Sequence, residues 1–185
     1  MTPIATPLAD ARRSRATFLR DGSQVRVRPV RPSDAFELQR MLEGLSSESL
    51  HSRFFGRPNL ERTAARLAEG SRGGDFAVVA ESLDESSIVG HAGAFRLGAG
   101  RAEGAFLVAD AWQGRGLGPI LLSNLLDAAR ERGIVTLVAE VLPSNRAMLA
   151  VFRGCGHPMH VSPGLDVLPV RIDIAPLDAE KAFAA

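Results

Sequence analysis

Three closely spaced glycines lie between a strand-like segment and a long apolar helical pattern. The stretch is Gln113-Gly114-Arg115-Gly116-Leu117-Gly118, and the periodic leucines after it predict a helix that begins at its end. The first backbone N–H groups of a helix have no intrahelical partner, and the helix dipole adds partial positive charge there. Because glycines let phosphate oxygens approach these amides, the sequence predicts an anion site.

Two widely used phosphate motifs do not match this stretch. A dinucleotide-binding loop follows the first strand of a parallel fold and carries an acid about 20 residues further on. A P-loop ends in Gly-Lys followed by Ser or Thr, which is missing here. An ordinary Gly-rich loop ahead of a helix stays open as the alternative interpretation of the glycines alone.

Hydrophobic periodicity predicts the elements that would position the loop. The predicted strands are residues 25–30, 76–83, 88–97, 102–108, 135–142 and 167–174. The predicted helices are residues 35–45, a short one that starts at Ser46, 60–69, one from Leu117 that stops at Gly133, and 145–153. The fourth and fifth strands are joined by a helix and should therefore be parallel neighbours. This order predicts an α+β layer fold with a mixed, mainly antiparallel sheet.

Length and composition indicate one globular domain. The chain has 185 residues, of which 45% are apolar and 23% charged, and its net charge is +1, as in ordinary globular proteins with one core. Nearly all of the 22 basic residues are arginines scattered among acids, with Lys181 the single lysine, so no clustered basic face predicts a nucleic-acid partner. We expect a domain at 23–176 with flexible tails at 1–22 and 177–185.

Cysteine usage and hydropathy bear on the compartment. Cys155 is the single cysteine, so no disulfide framework requires an oxidising environment. No apolar run resembles a signal peptide or approaches the about 20 residues of a membrane span. We therefore expect a cytoplasmic protein without a membrane partner, and the sequence indicates no particular oligomeric state.

The Gly-rich loop resembles the signature of a known enzyme family. Gln113-x-x-Gly116-x-Gly118 matches the Q/R-x-x-G-x-G/A pattern of the GNAT acyltransferases, and Val108 stands where that family has a strand valine. The resemblance extends over roughly residues 26–174. It implies α/β/α layers around six or seven strands, with a β-bulge in the fourth strand and a V-shaped splay between the fourth and fifth. It also implies acetyl-CoA as co-substrate and acetyl transfer to an amine.

The same resemblance assigns the cofactor-binding residues and implies no metal. In this family the pantetheine arm enters the gap between the fourth and fifth strands, where the main chain of Phe106, Leu107 and Val108 would pair with it. Asn145, after the fifth strand, would contact cofactor or substrate through its side chain. The pyrophosphate would lie against the loop, on Gln113, Gly114, Arg115, Gly116, Leu117, Gly118 and Pro119.

Acetylation of an amine needs a base, because an alkylammonium has a pKa of about 10.4 and the neutral amine is the nucleophile. The branch that acetylates protein lysines has a glutamate at the head of the fourth strand, and Glu103 matches that place. Glu103 is therefore the expected general base, with a solvated acid at a strand start as the alternative. Glu140, inside the apolar fifth strand, and His91, on the third strand, are further candidates, although His91 also fits a packed core histidine.

The usual proton donor of the family is missing. Many GNAT enzymes protonate the departing thiolate with a tyrosine in the helix after the fifth strand, but this chain has no tyrosine and Phe152 stands there. A CoA thiolate can leave unprotonated and take a proton from water. Cys155 could donate a proton or accept the acyl group, although a small packed hydrophobe is its more ordinary role.

Two N-terminal segments resemble the protein lysine acetyltransferase branch. Residues 26–34 and 45–55 match helices that border the acceptor site there, although helix packing and an N-cap would also explain them. The leading hypothesis is a protein lysine acetyltransferase that transfers directly within a ternary complex. The alternatives are an N-acetyltransferase of a small amine (a polyamine, amino acid or aminoglycoside) and a catalytically silent CoA-binding module.

Overall fold

The computed structural model describes residues 15–70 and 74–174, which form helices packed on both faces of a sheet. The strands in this part of the chain are β1 (Arg15–Phe18), β2 (Gln24–Pro29), β3 (Phe76–Ser82), β4 (Ile88–Gly98), β5 (Arg101–Val108), β6 (Thr136–Val141), β7 (Met159–Val161) and β8 (Leu168–Asp173). The helices are α1 (Ala35–Glu43), α2 (Ser47–Phe54), α3 (Leu60–Glu69), α4 (Leu117–Glu131) and α5 (Arg146–Arg153). None of these helices is both long and apolar enough to cross a bilayer.

The sheet confirms the predicted mixed topology. Its strand order is β1-β2-β3-β4-β5-β6-β8-β7, and every neighbouring pair is antiparallel except β5 and β6. These two are the predicted fourth and fifth strands, and α4 connects them as the expected crossover.

The sheet has eight strands, whereas six or seven were expected. The sequence pattern did not predict β1 and β7, because both strands are short. β1 pairs with β2 from Arg15↔Val27 to Phe18↔Gln24, so the expectation of a flexible tail is wrong for residues 15–22. A four-residue strand is too short to show a periodic pattern. The remainder of that tail and all of 177–185 lie outside the described residues.

The predicted splay is confirmed, but the predicted bulge is not. β5 and β6 pair only from Arg101↔Thr136 to Glu103↔Val138, although β5 continues to Val108 and β6 to Val141. Residues 102–108 pair one-to-one with β4, and the register shift in that hairpin lies between Arg96 and Gly98. β6 instead follows β8 along its whole length, so the two halves of the sheet diverge without a bulge in β5.

Two apolar clusters cover the two faces of the sheet. On one face α4 buries Leu121, Leu122 and Leu125 against β3, β4 and β5. Burial of each such side chain contributes about 1.5–3 kcal/mol. On the other face α1 and α3 bury Leu38 and Leu67, among others, against β3 and β5. The result is the expected α/β/α layering, with the splayed pair of strands at its centre.

Candidate active site

A cleft opens where β5 and β6 separate, and most of the predicted cofactor residues line it. Its volume is about 610 Å³, within the range of about 300–1,000 Å³ typical of ligand sites. The predicted residues that line it are Phe106, Leu107, Val108, Gln113, Gly114, Gly116, Leu117, Gly118, Pro119 and Asn145. A second cavity of about 490 Å³, between β1 to β3 and α4, contains none of the predicted site residues.

The edge of β5 that faces the cleft has open backbone groups. The amide of Ala109 donates to Val89 O (2.9 Å) on the β4 side, whereas Val108 O faces the other way and accepts from Gln113 Nε2 (3.2 Å). Backbone directions alternate along a strand, so Phe106 faces the cleft as Val108 does, while the polar backbone groups of Leu107 face β4. An extended ligand can therefore pair with Phe106 and Val108 rather than with all three residues.

The Gly-rich loop has a backbone that favours glycine. Gly114 has φ 73° and Gly116, the N-cap of α4, has φ 96°, a region that L-residues rarely adopt. A Cβ added at Gly114 would meet no atom within 4 Å, so the space in front of the loop is open. The amides of Leu117 and Gly118 are the first of α4 and lack intrahelical acceptors. These features fit a phosphate site.

The turn between β1 and β2 holds this loop in place. The amide of Arg20 donates to Arg115 O (3.0 Å), and Arg115 Nη1 lies 2.9 Å from Asp21 Oδ2. The Arg115 guanidinium also stacks on Trp112, 5.0 Å from the ring centroid. The Arg115 side chain therefore anchors the loop outside the cleft, which leaves its amide as the group available to a ligand.

Arg20 is a cleft residue that the sequence reasoning missed. It lines the cleft, and a Cβ added at Gly116 would lie 3.4 Å from its Cγ and 3.5 Å from its Nε. A guanidinium thus lies beside the loop amides. Arg20 was placed in the expected tail, but the Asp21-Gly22 pair that follows it is a recognised hairpin signal and could have indicated a paired turn.

Asp110 connects helix α2 to the loop, which the sequence did not predict. Its carboxylate accepts from Ser46 N (2.8 Å), Ser49 Oγ (2.6 Å) and Gln113 Nε2 (3.1 Å). Burial acts to raise the pKa of Asp110, but the hydrogen bonds from Ser49 and Ser46 outweigh it, so this pKa lies below its ordinary value. The side-chain amide of Gln113 is thus engaged within the protein.

Asn145 has a capping role at the cleft. It is the N-cap of α5, and its Oδ1 accepts from Met148 N (3.0 Å). An asparagine side chain also carries two N–H donors. The Nδ2 group is therefore the part of Asn145 left for a ligand in the cleft.

The three candidate bases lie in very different environments. Glu103 is exposed in the last paired row of β5 and β6; it is not among the residues that line the cleft, but its charge acts on Arg53, which is. Glu140 is also exposed, so the expected burial of this carboxylate is wrong. Side chains alternate between the two faces of a strand, and Glu140 lies on the face of β6 that is opposite to the core. His91 is only 1% exposed, and neither ring nitrogen makes a hydrogen bond of good geometry among the described residues, although the backbone of Leu67 acts to raise its pKa. Burial, and then the charge of Arg53, lower the pKa of His91 to about 3.

The residues near the missing tyrosine do not replace it. Phe152 is buried and packs edge-on against Phe106, with ring centroids 5.6 Å apart. Cys155 is half-buried, and its Sγ lies 3.9 Å from His157 O, outside the residues that line the cleft. Neither side chain is placed to protonate a group in the cleft.

The two N-terminal segments have different roles. In the first, Asp34 accepts from Arg28 Nη1 (2.8 Å), Arg28 Nη2 (2.9 Å) and Arg31 N (2.7 Å), so this segment braces β2 and does not enter the cleft. The second contributes Ser46, Glu48, Ser49, Ser52 and Arg53 to the cleft. The acceptor-side expectation therefore fits the second segment only.

Known proteins resemble this chain in sequence and fold. Acetyltransferase Pat of Mycolicibacterium smegmatis is 32% identical over 166 residues, 86% of this chain and 49% of that protein. A ribosomal protein bS18-alanine N-acetyltransferase of Salmonella typhimurium is 32% identical over 103 residues, 56% of this chain and 60% of that one. The chain thus spans about half the length of the Mycolicibacterium relative.

Comparisons with solved structures and with family models agree with the similarity to these acetyltransferases in sequence. The crystal structure of the GNAT domain of S. lividans PAT has a TM-score of 0.78 and 34% identity, covering 88% of this chain and 98% of that domain. The model of the acetyltransferase (GNAT) family matches residues 42–157. A family match over more than half of the chain, together with these relatives, shows that the chain belongs to the GNAT acetyltransferases, which use acetyl-CoA as co-substrate.

Proposed function

We propose that this chain acetylates a lysine side chain of a protein, by direct transfer from acetyl-CoA in a ternary complex. The observation that carries the proposal is the open edge of β5, where Phe106, Leu107 and Val108 line the cleft next to the Gly-rich loop. Glu103 lies five residues before Val108 on the same strand, and its charge acts on Arg53, which lines the cleft. A relative acts on an alanine of a ribosomal protein, by its name, which supports a protein acceptor.

The cleft fits acetyl-CoA in three places. Phe106 and Val108 offer backbone groups to the pantetheine arm, and the amides of 115–118 offer donors to the pyrophosphate beside the Arg20 guanidinium. Asn145 Nδ2 is a further donor from the opposite wall. Acetyl-CoA supplies the activated acetyl thioester.

Glu103 is proposed as the general base. Its exposed carboxylate accepts a proton from the acceptor ammonium, and the neutral amine nitrogen then attacks the thioester carbonyl carbon. The new C–N bond replaces the C–S bond, and the CoA thiolate takes its proton from water because Phe152 has no hydroxyl. His91 is unsuited to this role because it is buried and weakly basic.

The acceptor side of the cleft favours a peptide over a polyamine. Its α2 wall carries three serines, and the acids that line the cleft are Glu48 and Asp110. Asp110 is already saturated with hydrogen bonds from Ser46, Ser49 and Gln113. A polyamine site would need several free acids around a deep pocket.

Competing acceptors test the proposal. The protein is given acetyl-CoA with a lysine-containing peptide, spermidine, a free amino acid or an aminoglycoside, and the products are identified by mass spectrometry. We expect the highest kcat/KM for the peptide lysine. A higher kcat/KM for any small amine would overturn the protein acceptor, and acetyl-CoA binding without any acetylated amine would indicate a silent CoA-binding module.

A further inference from the structure

Arg53 is a cation in the cleft that the proposed reaction does not use. It lies on the last turn of α2 and lines the cleft with Ser49, Ser52 and the edge of β5. Its Cζ lies 4.8 Å from the ring centroid of Phe54. The side chain is therefore half-buried in the cleft, within reach of the charge of Glu103.

No described residue pairs with this guanidinium. Within residues 15–70 and 74–174, Arg53 makes no hydrogen bond and no ion pair within 4.0 Å. Burial lowers the pKa of Arg53, the charge of Glu103 acts in the opposite direction, and the nearby charge of Arg66 lowers it further. Arginine stays protonated at neutral pH even so. The charge of one carboxylate, Glu103, and that of a second cation, Arg66, thus act on Arg53.

The buried neighbour of Arg53, His91, supplies no negative charge either. His91 is the buried neighbour whose pKa Arg53 helps to lower, and it is neutral near pH 7. Neither of its ring nitrogens makes a hydrogen bond of good geometry among the described residues. Among the described residues, the exposed Glu103 is the carboxylate whose charge acts on Arg53, but it forms no ion pair with Arg53 within 4.0 Å. A direct partner for the half-buried guanidinium is therefore expected from a ligand.

We propose that Arg53 binds a carboxylate that the acceptor carries close to its reacting amine. This inference rests on the proposed amine acetylation and names its substrate class: a lysine next to aspartate or glutamate in a protein. The planar guanidinium matches a carboxylate with two parallel hydrogen bonds. The CoA phosphates are not the expected anion, because Arg53 lies near Glu103 in the first half of β5, whereas the loop, with Arg20 beside it, follows the end of that strand.

Two peptides that differ at one position test this proposal. Both contain one lysine, flanked by glutamate in the first and by glutamine in the second; free lysine and its decarboxylated analogue repeat the comparison without a peptide. The wild-type protein should prefer the glutamate peptide by about tenfold in kcat/KM, the size of one charge-assisted hydrogen bond. If only the free amino-acid pair shows the preference, the carboxylate comes from a small acceptor and the flanking-acid substrate class is overturned.

Variants assign the preference to Arg53. Arg53→Gln should bring the ratio between the two peptides to about one, Arg53→Lys should keep part of it, and the exposed Arg62→Gln should keep all of it; melting curves verify that each variant is folded. An equal loss on both peptides in Arg53→Gln, or no preference in the wild type, would overturn the role of Arg53 while acetyl transfer stands. Absence of turnover with every amine would overturn both proposals.

Discussion

Glu103 lies in the last paired row before β5 and β6 separate, and its side chain is on the same face of β5 as that of Leu107. The negative charge of Glu103 acts on the guanidinium of Arg53. Its carboxylate is exposed, so no neighbouring group must move before an ammonium approaches it. Proton removal by a positioned carboxylate contributes about 10²- to 10⁴-fold in rate. A substitution at Glu103 can therefore change the rate of acetyl transfer without changing the affinity for acetyl-CoA.

Glu103→Gln should lower kcat by about 10²- to 10⁴-fold near neutral pH while acetyl-CoA affinity stays the same. Part of the rate should return as rising pH deprotonates the amine unaided. Rates measured between about pH 6 and 9 test this, with Glu140→Gln as the matched control on the neighbouring strand. Full activity of Glu103→Gln across this range would show that solvent or another group removes the proton.

Arg20 is expected to contribute to CoA binding through its guanidinium. Its guanidinium lies beside Gly116, so Arg20→Ala should weaken CoA binding by about tenfold through loss of one charge-assisted contact. Arg26→Ala, an exposed arginine on β2 outside the cleft, is the control. Calorimetric titration with CoA and with pantetheine measures both. A loss that is as large for pantetheine as for CoA would contradict a phosphate contact.

At the scale of elements, the start of α4 depends on backbone geometry. Gly116 has φ 96° as the N-cap, and a left-handed conformation costs an L-residue about 1–2 kcal/mol. Gly116→Ala should therefore lose about this much free energy of unfolding and also bind CoA more weakly.

Gly44→Ala is the matched control for Gly116→Ala. Gly44 ends α1 with φ −82°, and an added Cβ would lie 3.6 Å from the nearest atom, which is an ordinary contact. Urea unfolding and CoA titration of both variants are the measurements. If Gly44→Ala and Gly116→Ala lose equal stability and affinity, the loop geometry is not what the start of α4 requires.

Elements with strong local patterns were predictable, and those set by distant contacts were not. The leucine stripe of α4 and the glycines before it identified both the helix and the loop. The contact of Arg20 with Gly116 and the network around Asp110 join residues far apart in sequence, so no local pattern contains them. The bulge came from the family resemblance, and one-to-one pairing of β5 with β4 replaces it.

At the scale of the whole molecule, a buried histidine links stability to pH. The pKa of His91 is about 3 in the fold against 6.5 ordinarily, so the unfolded chain binds a proton that the folded chain does not. Stability should therefore fall as pH drops from about 6.5 towards 3, by about 1.4 kcal/mol per pH unit. Above this window the contribution of His91 is constant.

His91→Leu should remove this pH dependence. Between pH 7.5 and 5 the variant should lose about 2 kcal/mol less free energy of unfolding than the wild type, since other titrating groups cancel in the difference. His51→Leu, at an exposed position, should keep the wild-type slope. Urea unfolding at the two pH values measures both. Equal pH dependence of His91→Leu and wild type would mean that His91 titrates normally.

One cleft lies beside the diverging strands, and it is lined by the loop with Arg20 and by α2 with Arg53. Under the proposed mechanism, the thioester and the amine are bound in this cleft at the same time. The central claim is thus direct transfer from acetyl-CoA in the splayed gap to an amine at Glu103. Cys155 packs against the apolar core and lies outside the cleft lining, so a covalent acetyl-enzyme is not expected.

Thiol release from acetyl-CoA, measured at varied concentrations of acetyl-CoA and of the lysine peptide, tests this claim most directly. We predict release only when the peptide is present, with reciprocal plots that intersect because both substrates are bound before the reaction. A burst of thiol without peptide, or parallel plots, would indicate an acetyl-enzyme and contradict direct transfer. No peptide-dependent release at any concentration would contradict the assignment of catalysis to this cleft.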